Sequence, residues 1–311
     1  MALMTMGTAP AREAAPSPPA ARVRRGRAWP FLAPLLVALT VWIYGPMLVS
    51  VFLAFADWNL TTSFGGMVGL DNFRELLRRP DFLNALLRTA LYAVVLLPFA
   101  TIVPMILAIM LWQRPSRAAT IYRTLLFLPV MIAPVAHAAS WRFLLNPLTG
   151  PLNEILGFFG LPPVNWLGDP NTALPVIVVV TSARIVATNM LIYSAMLATL
   201  DRRTVAAAQV EGATTWETMR FVVIPQLRGV TIMLGLLSFV MAGQWVFNYV
   251  SILTQGGPDG ATDTVYFYIY TMGFTFFETG VASAASAVIL GLLGVIGIGV
   301  WLRGRRRHVR A

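Results

Sequence analysis

Six runs of twenty or more mostly apolar residues, each free of Asp and Glu, limit what this chain can fold into more than any other feature. They lie at about 29–56, 86–112, 125–145, 174–200, 230–253 and 281–302. No water reaches a backbone inside a bilayer, so a spanning segment must satisfy its own N–H and C=O groups. A helix of about 20 apolar residues does so across a hydrocarbon core of about 30 Å. The expectation is an all-α integral membrane protein with six transmembrane helices. Charged residues make up only 12% of the chain, about half the share of an ordinary soluble domain.

Arginine placement sets a direction, because short Arg-rich loops stay in the cytoplasm. Residues 1–28 hold five Arg, 113–123 three, 201–228 four and the tail 303–311 five, together 17 of the 23. The opposite side carries nine of the thirteen acids, among them Asp57, Asp169, Asp259, Asp263 and Glu278. Both termini are therefore expected in the cytoplasm. Arg74, Arg78, Arg79 and Arg88 fall on the outer side but are balanced by Asp57, Asp71, Glu75 and Asp81. The stretch from Asp71 to Leu87 reads as a short amphipathic interfacial helix. The Ala-, Pro- and Arg-rich residues 1–28 read as a disordered basic cytoplasmic tail. The first apolar run is too long for a cleaved secretory signal, so it is read as an uncleaved span.

The same composition excludes several functions. The net charge of +10 flanks apolar runs rather than covering a polar domain, so no nucleic-acid partner is expected. Cysteine is absent and only two His are present, which rules out a disulfide framework and leaves no metal site. Without any Lys the chain cannot build a phosphate-binding Gly-x-x-x-x-Gly-Lys loop. An ion-driven secondary transporter would need an intramembrane carboxylate, and the runs hold none. Only His137 offers an imidazole inside a run, without an acid beside it, so hydrolysis has no catalytic group to use. His137 is read as a helix-packing hydrogen-bond partner, and the chain as no enzyme.

The loop at about 201–228 carries Ala206, Ala207, Ala208, Glu211, Gly212 and Ala213, followed by Trp216, Met219 and Pro225. Small residues at 206–208 permit close approach of another backbone, Gly212 permits a sharp turn, and Trp216 and Met219 at i and i+3 are read as one apolar knob. This stretch resembles the signature loop of the permease subunits of ABC importers. A second block, Gln255-Gly256-Gly257-Pro258 leading to Tyr268 and Phe274, is similar to the outer loop of the sugar-type branch. Asn165-Trp166-Leu167-Gly168-Asp169-Pro170, Gly69-Leu70-Asp71-Asn72-Phe73 and Phe127-Leu128-Pro129 also look like the maltose and glycerol-phosphate branch. The chain departs from the pattern at Ala206, where the family has Glu, at Glu211, where it has Asp, and at Met219, where it has an aromatic residue.

The resemblance implies a type I importer permease of the bacterial plasma (inner) membrane, multi-pass, with the permease domain at 29–302. It implies a second permease subunit, as a hetero-dimer or a homodimer, and two ATP-binding subunits that hold ATP and Mg, this chain binding no cofactor. It also implies an extracytoplasmic solute-binding protein docking at Gly256, Gly257 and Pro258. The family's opening Glu is expected to pair with a basic group on the ATPase, and with Ala206 in its place the docking is expected to rest on helix packing by Ala207, Gly212 and Trp216. Carbohydrate is the expected cargo, with glycerol phosphate or another polyol derivative as the alternative.

Polar side chains are costly in a bilayer unless they pair or line a water-filled path, so they mark a substrate route. Thr181, Arg184 and Thr188 share one face of the fourth run, and Asn189 and Tyr193 form an i, i+4 pair farther along. The fifth run offers Gln244 and Asn248, with Trp245 and Tyr249 beside them. Hydrogen-bonding groups among aromatics suit sugar hydroxyls and the apolar ring face. Arg184 could equally face an anion, neutralise a helix end or snorkel to an interface. A basic residue near this position is common in the family, which implies a shared structural role.

Overall fold

The structure is a computed structural model that describes residues 29–308. The tail at 1–28 and the last residues of the tail at 303–311 lie outside them. Every named element among the described residues is helical, and the only β pairing is one isolated bridge between Ala56 and Met67. Residues up to Leu48 form one unit and those from Val49 a second. The first span begins with α1 (Trp29–Leu39), passes through a π turn at Thr40–Tyr44 and ends in α2 (Gly45–Leu53).

In the second unit α3 (Asp71–Arg78) stops at Arg79, which is extended, and α4 (Pro80–Ala100) starts on a proline with α5 (Ile102–Gln113) following it. The 71–87 stretch is therefore not one interfacial helix. Proline restricts the residue before it to extended backbone, and its missing N–H is harmless in the first turn of a helix. Arg79 ties this corner to the last helix through Glu278 at 2.6 Å.

The third run also departs from a single rod. Helices α6 (Arg117–Met131) and α7 (Pro134–Leu144) meet at 99° across Ile132 and Ala133. Pro134 cannot donate back into α6, so the helix ends and restarts. After α8 (Pro151–Phe158), α9 (Pro170–Ala198) supplies the longest unbroken span of the middle of the chain. The loop helix α10 (Arg202–Val210) leads to α11 (Thr215–Thr218), a π turn at Met219–Val223 and α12 (Ile224–Leu253). From Thr215 to Leu253 these last pieces run as one helix of 39 residues, so the fifth span is continuous with the loop before it. Helix α13 (Val265–Tyr270) and α14 (Thr279–His308) complete the chain. Among the described residues, five helical runs are long and apolar enough to cross a membrane, or six when the bent α6–α7 pair is counted as one span.

Three clusters hold the second unit together. Tyr92, Leu96, Ile177, Val180, Val246 and Val250 join α4, α9 and α12. Leu76, Phe82, Val265, Tyr268 and Val281 join α3, α4, α13 and α14. Ala108, Met190, Tyr193, Met219, Val223 and Leu227 join α5 and α9 to the loop and the start of α12. Close contact between α12 and α13 depends on Gly243, where an added Cβ would lie 2.4 Å from the Tyr266 ring. Replacing Gly243 by alanine is expected to destabilise the protein by about 1–3 kcal/mol through overpacking. A lower thermal midpoint of the purified chain, recovered on adding Tyr266→Ala, checks this.

Candidate functional site

Helices α9 and α12 enclose a cavity of about 150 Å³ whose walls include Thr181, Arg184, Ile185, Thr188, Asn189, Trp245, Asn248 and Tyr249, with Pro134 from the bend. Seven of the nine intramembrane candidates thus come together. Tyr193 and Gln244 do not. Tyr193 is fully buried and donates its hydroxyl to Thr231 at 3.0 Å, within the cluster below the cavity. The Gln244 side chain is exposed and does not line the cavity.

Several of these groups already have structural partners. Arg184 donates from Nη1 to the carbonyl of Ile132 at 2.6 Å. Ile132 follows the last turn of α6, where carbonyls lack in-helix donors and the helix dipole is negative, so a guanidinium is favoured there. Of the three roles open to Arg184, the structure places it at a helix end, with its side chain on the cavity wall. Asn189 donates from Nδ2 to the Ala100 carbonyl at 2.7 Å. In a continuous helix that carbonyl would accept from residue 104, but Pro104 has no N–H. Asn189 supplies the missing donor, and is buried in doing so.

His137 forms a directed pair of bonds. Trp141 donates its indole N–H to Nε2 at 3.1 Å, and Nδ1 lies 3.1 Å from the Tyr249 hydroxyl. An indole can only donate, so Nε2 accepts and Nδ1 carries the ring proton toward Tyr249. His137 is a packing partner, as its isolation in the sequence suggested. The hydroxyl of Thr181, 1% exposed, has no partner of its own on the cavity wall. Pro134 and Trp141 were not singled out from the sequence. A proline directly after a break in an apolar run was the available signal.

The loop joining α9 to α12 is a helix pair on a sharp turn. Asp201 caps α10 through Arg203 N at 2.9 Å, and Arg202 lies over the Trp112 ring at 5.6 Å, pinning α10 to the end of α5. Gly212 has φ +89° with nothing within 4 Å of where a Cβ would be, so the turn into α11 relies on glycine's freedom and faces open space. Thr214 and Glu217 form a reciprocal capping box. The Thr214 backbone N–H and hydroxyl hold the Glu217 carboxyl below the usual carboxylate range. Ala206, Ala207, Glu211, Gly212, Trp216 and Pro225 are exposed, and Ala208 and Ala213 half-buried. The expected Trp216–Met219 knob does not form. Trp216 is 66% exposed whereas Met219 points into the core among Val223 and Leu227, because the helix packs the side that carries Thr218 and Met219 against α5 and α9. The protruding apolar groups are Val210, Trp216 and Phe221.

On the loop after α12, Thr262 closes the Gly256-Gly257-Pro258 turn by donating to the Gly257 carbonyl at 2.7 Å. Arg88 bonds the Gly260 carbonyl. A cleft of about 440 Å³ opens beside it, lined by Asp81, Asn84, Arg88, Gly256, Gly257, Asp259 and Asp263, while Pro258 lines a neighbouring one. Burial pushes the Asp263 carboxyl up to about 6, with Asp81 adding to the rise, against the Thr264 N–H and Arg88, which act the other way. A carboxyl whose folded value is raised favours the fold most when protonated. The loop's stability is then complete below the ordinary carboxylate range and is lost as pH rises through about 6. Amide exchange over 254–264, corrected for its intrinsic rate, is expected to be slower at about pH 5 than at about pH 7. Asp263→Asn is expected to abolish the difference.

The family described as binding-protein-dependent transport system inner membrane component matches residues 61–308. A probable ABC transporter permease protein, YurN of Bacillus subtilis, is 32% identical over 84% of this chain and 89% of its own length. The lactose transport system permease protein LacF of Rhizobium radiobacter is 31% identical over 90% of this chain and 94% of its own. An sn-glycerol-3-phosphate transport system permease protein, UgpA of Pectobacterium atrosepticum, is 30% identical over 86% and 88%. The same fold occurs in a bacterial ABC transporter involved in the import of the acidic polysaccharide alginate, with TM-score 0.80, 24% identity and coverage of 90% of this chain and 96% of that one. A second structure of a bacterial alginate ABC transporter, also at TM-score 0.80, holds an alginate pentasaccharide-bound periplasmic protein. With a match across most of its length, the chain belongs to the binding-protein-dependent inner membrane components, the permease subunits of ABC transporters.

Proposed function

We propose that this chain forms half of the translocation pathway of an ATP-driven importer, carrying a carbohydrate delivered by an extracytoplasmic binding protein. The observation that carries the reading is the cavity between α9 and α12, where Thr181, Thr188, Asn248 and Tyr249 offer hydrogen bonds beside the Trp245 ring. Hydroxyl-rich ligands with one apolar face suit such a wall. The lactose permease among the relatives supports the same cargo class, and the glycerol-phosphate permease the alternative.

Both termini lie in the cytoplasm in this reading, which puts α10 and α11 at the inner surface and the Gly256–Pro258 turn at the outer one. Two separate ATPase subunits close on ATP, and the exposed Val210, Trp216 and Phe221 receive that movement in place of a charge contact at Ala206. Met219 passes it to α12, because the loop and the span share one helix and one core cluster. The spans then change from inward-facing to outward-facing. A second permease completes the pore, and this subunit supplies pathway and lever while its partners hydrolyse ATP.

Arg184 on the cavity wall favours a polyol phosphate as the second cargo to test. Its bond to Ile132 gives it a structural task, so a neutral sugar remains the first reading. Uptake into proteoliposomes holding the assembled importer tests both. Sugar uptake that needs ATP and the binding protein and resists an uncoupler is expected, with weak competition by glycerol 3-phosphate. Uptake abolished by the uncoupler alone would overturn it.

A further inference from the structure

Helix α8 and its flanks have the opposite polarity from a helix at a water-exposed surface. The inward side holds Asn153, which donates to the Pro147 and Val164 carbonyls at 3.1 and 3.0 Å and accepts from Val164 N at 3.2 Å and the Trp166 indole at 2.9 Å. One asparagine thus closes residues 147–166 into a fixed unit. The outward side carries Ile155, Phe158 and Phe159, which share a helical face, with Leu148 and Leu161 beside them. Leu148 is 91% exposed, Phe158 86% and Phe159 71%. A helix that turns its amide inward and its aromatics outward meets something apolar outside.

We propose that this face is a membrane anchor, with Phe158, Phe159 and Ile155 inserted at the boundary between lipid headgroups and acyl chains. The segment is continuous at both ends with membrane helices, α7 before it and α9 after it, which keeps it close to the bilayer. Between Arg142 and Asp169 the only charge is Glu154, which leaves nothing to pair with a charged protein surface. Lipid is the apolar phase within reach of a segment tethered in this way. The anchor would hold the bend between α6 and α7 at a fixed depth while the spans move.

The absence of cysteine makes the test direct, because Phe158→Cys creates a single labelling site. The variant chain is labelled with an environment-sensitive fluorophore before it is assembled with its partner subunits in vesicles of phosphatidylethanolamine and phosphatidylglycerol. A nitroxide placed just below the lipid headgroup is expected to remove most of its emission, and aqueous iodide little. Ser63→Cys, on an exposed polar loop, should respond the other way round. Leu161→Cys repeats the measurement on a second exposed side chain. Iodide quenching at both 158 and 161 would overturn the proposal. So would a label shielded from nitroxide and iodide alike, which would mean that a protein subunit covers this face.

Discussion

Replacing Gly212 by leucine is expected to abolish ATP-dependent uptake while the chain still inserts and assembles. At φ +89° an L-residue in the turn between α10 and α11 is strained by about 1–2 kcal/mol. That is too little to unfold a protein whose three core clusters do not include Gly212. Nothing lies within 4 Å of the added Cβ, so the side chain starts out into open space. It would instead project from the lever where a partner must approach, on a turn forced open. Coupling depends on a free-energy difference between two states, and a misaimed lever gives the ATPases no hold on that difference. Gly212→Ala should retain part of the uptake. Uptake at the ordinary rate by a Gly212→Leu complex that contains both ATPase subunits would remove the lever from this loop.

Asn189→Leu is expected to have the largest effect on stability among the cavity residues. It leaves the Ala100 carbonyl without a donor in a buried helix contact, a loss of about 1–3 kcal/mol. A lower thermal midpoint and a lower yield of assembled complex should follow. Adding Pro104→Ala returns an N–H at the position that can reach Ala100, so the double variant should recover much of the loss. Failure of that rescue would show that Asn189 matters through the cavity instead. Uptake kinetics of the double variant then separate packing from contact with the cargo.

How much of this was legible beforehand depends on whether a property is local. The number and location of the apolar runs and the need for glycine at 212 follow from each residue and its near neighbours along the chain. Ser, Thr, Asn and Tyr inside a span were equally legible as polar groups in lipid, but not which partner each would find. Asn189 and Tyr193 looked like one i, i+4 pair on a pathway. In the structure Asn189 crosses to α4 and Tyr193 to Thr231 on α12. Arg184 offered three readings that only the position of the α6 end could separate. Trp216 and Met219 looked like a joint surface, but packing against α5 and α9 buries Met219 and leaves Trp216 exposed.

The sequence by itself determined that the chain is helical and crosses the membrane, because a backbone in hydrocarbon has no other way to satisfy its hydrogen bonds and the apolar runs have the length to do it. It also carried the family, through motifs whose order is preserved along the chain. Tertiary structure alone decided which side chains share the cavity, which carbonyl each polar group satisfies and how the third span bends. Those outcomes depend on which helix faces meet, and a helix in lipid reads nearly the same on all its faces until another helix packs against one of them.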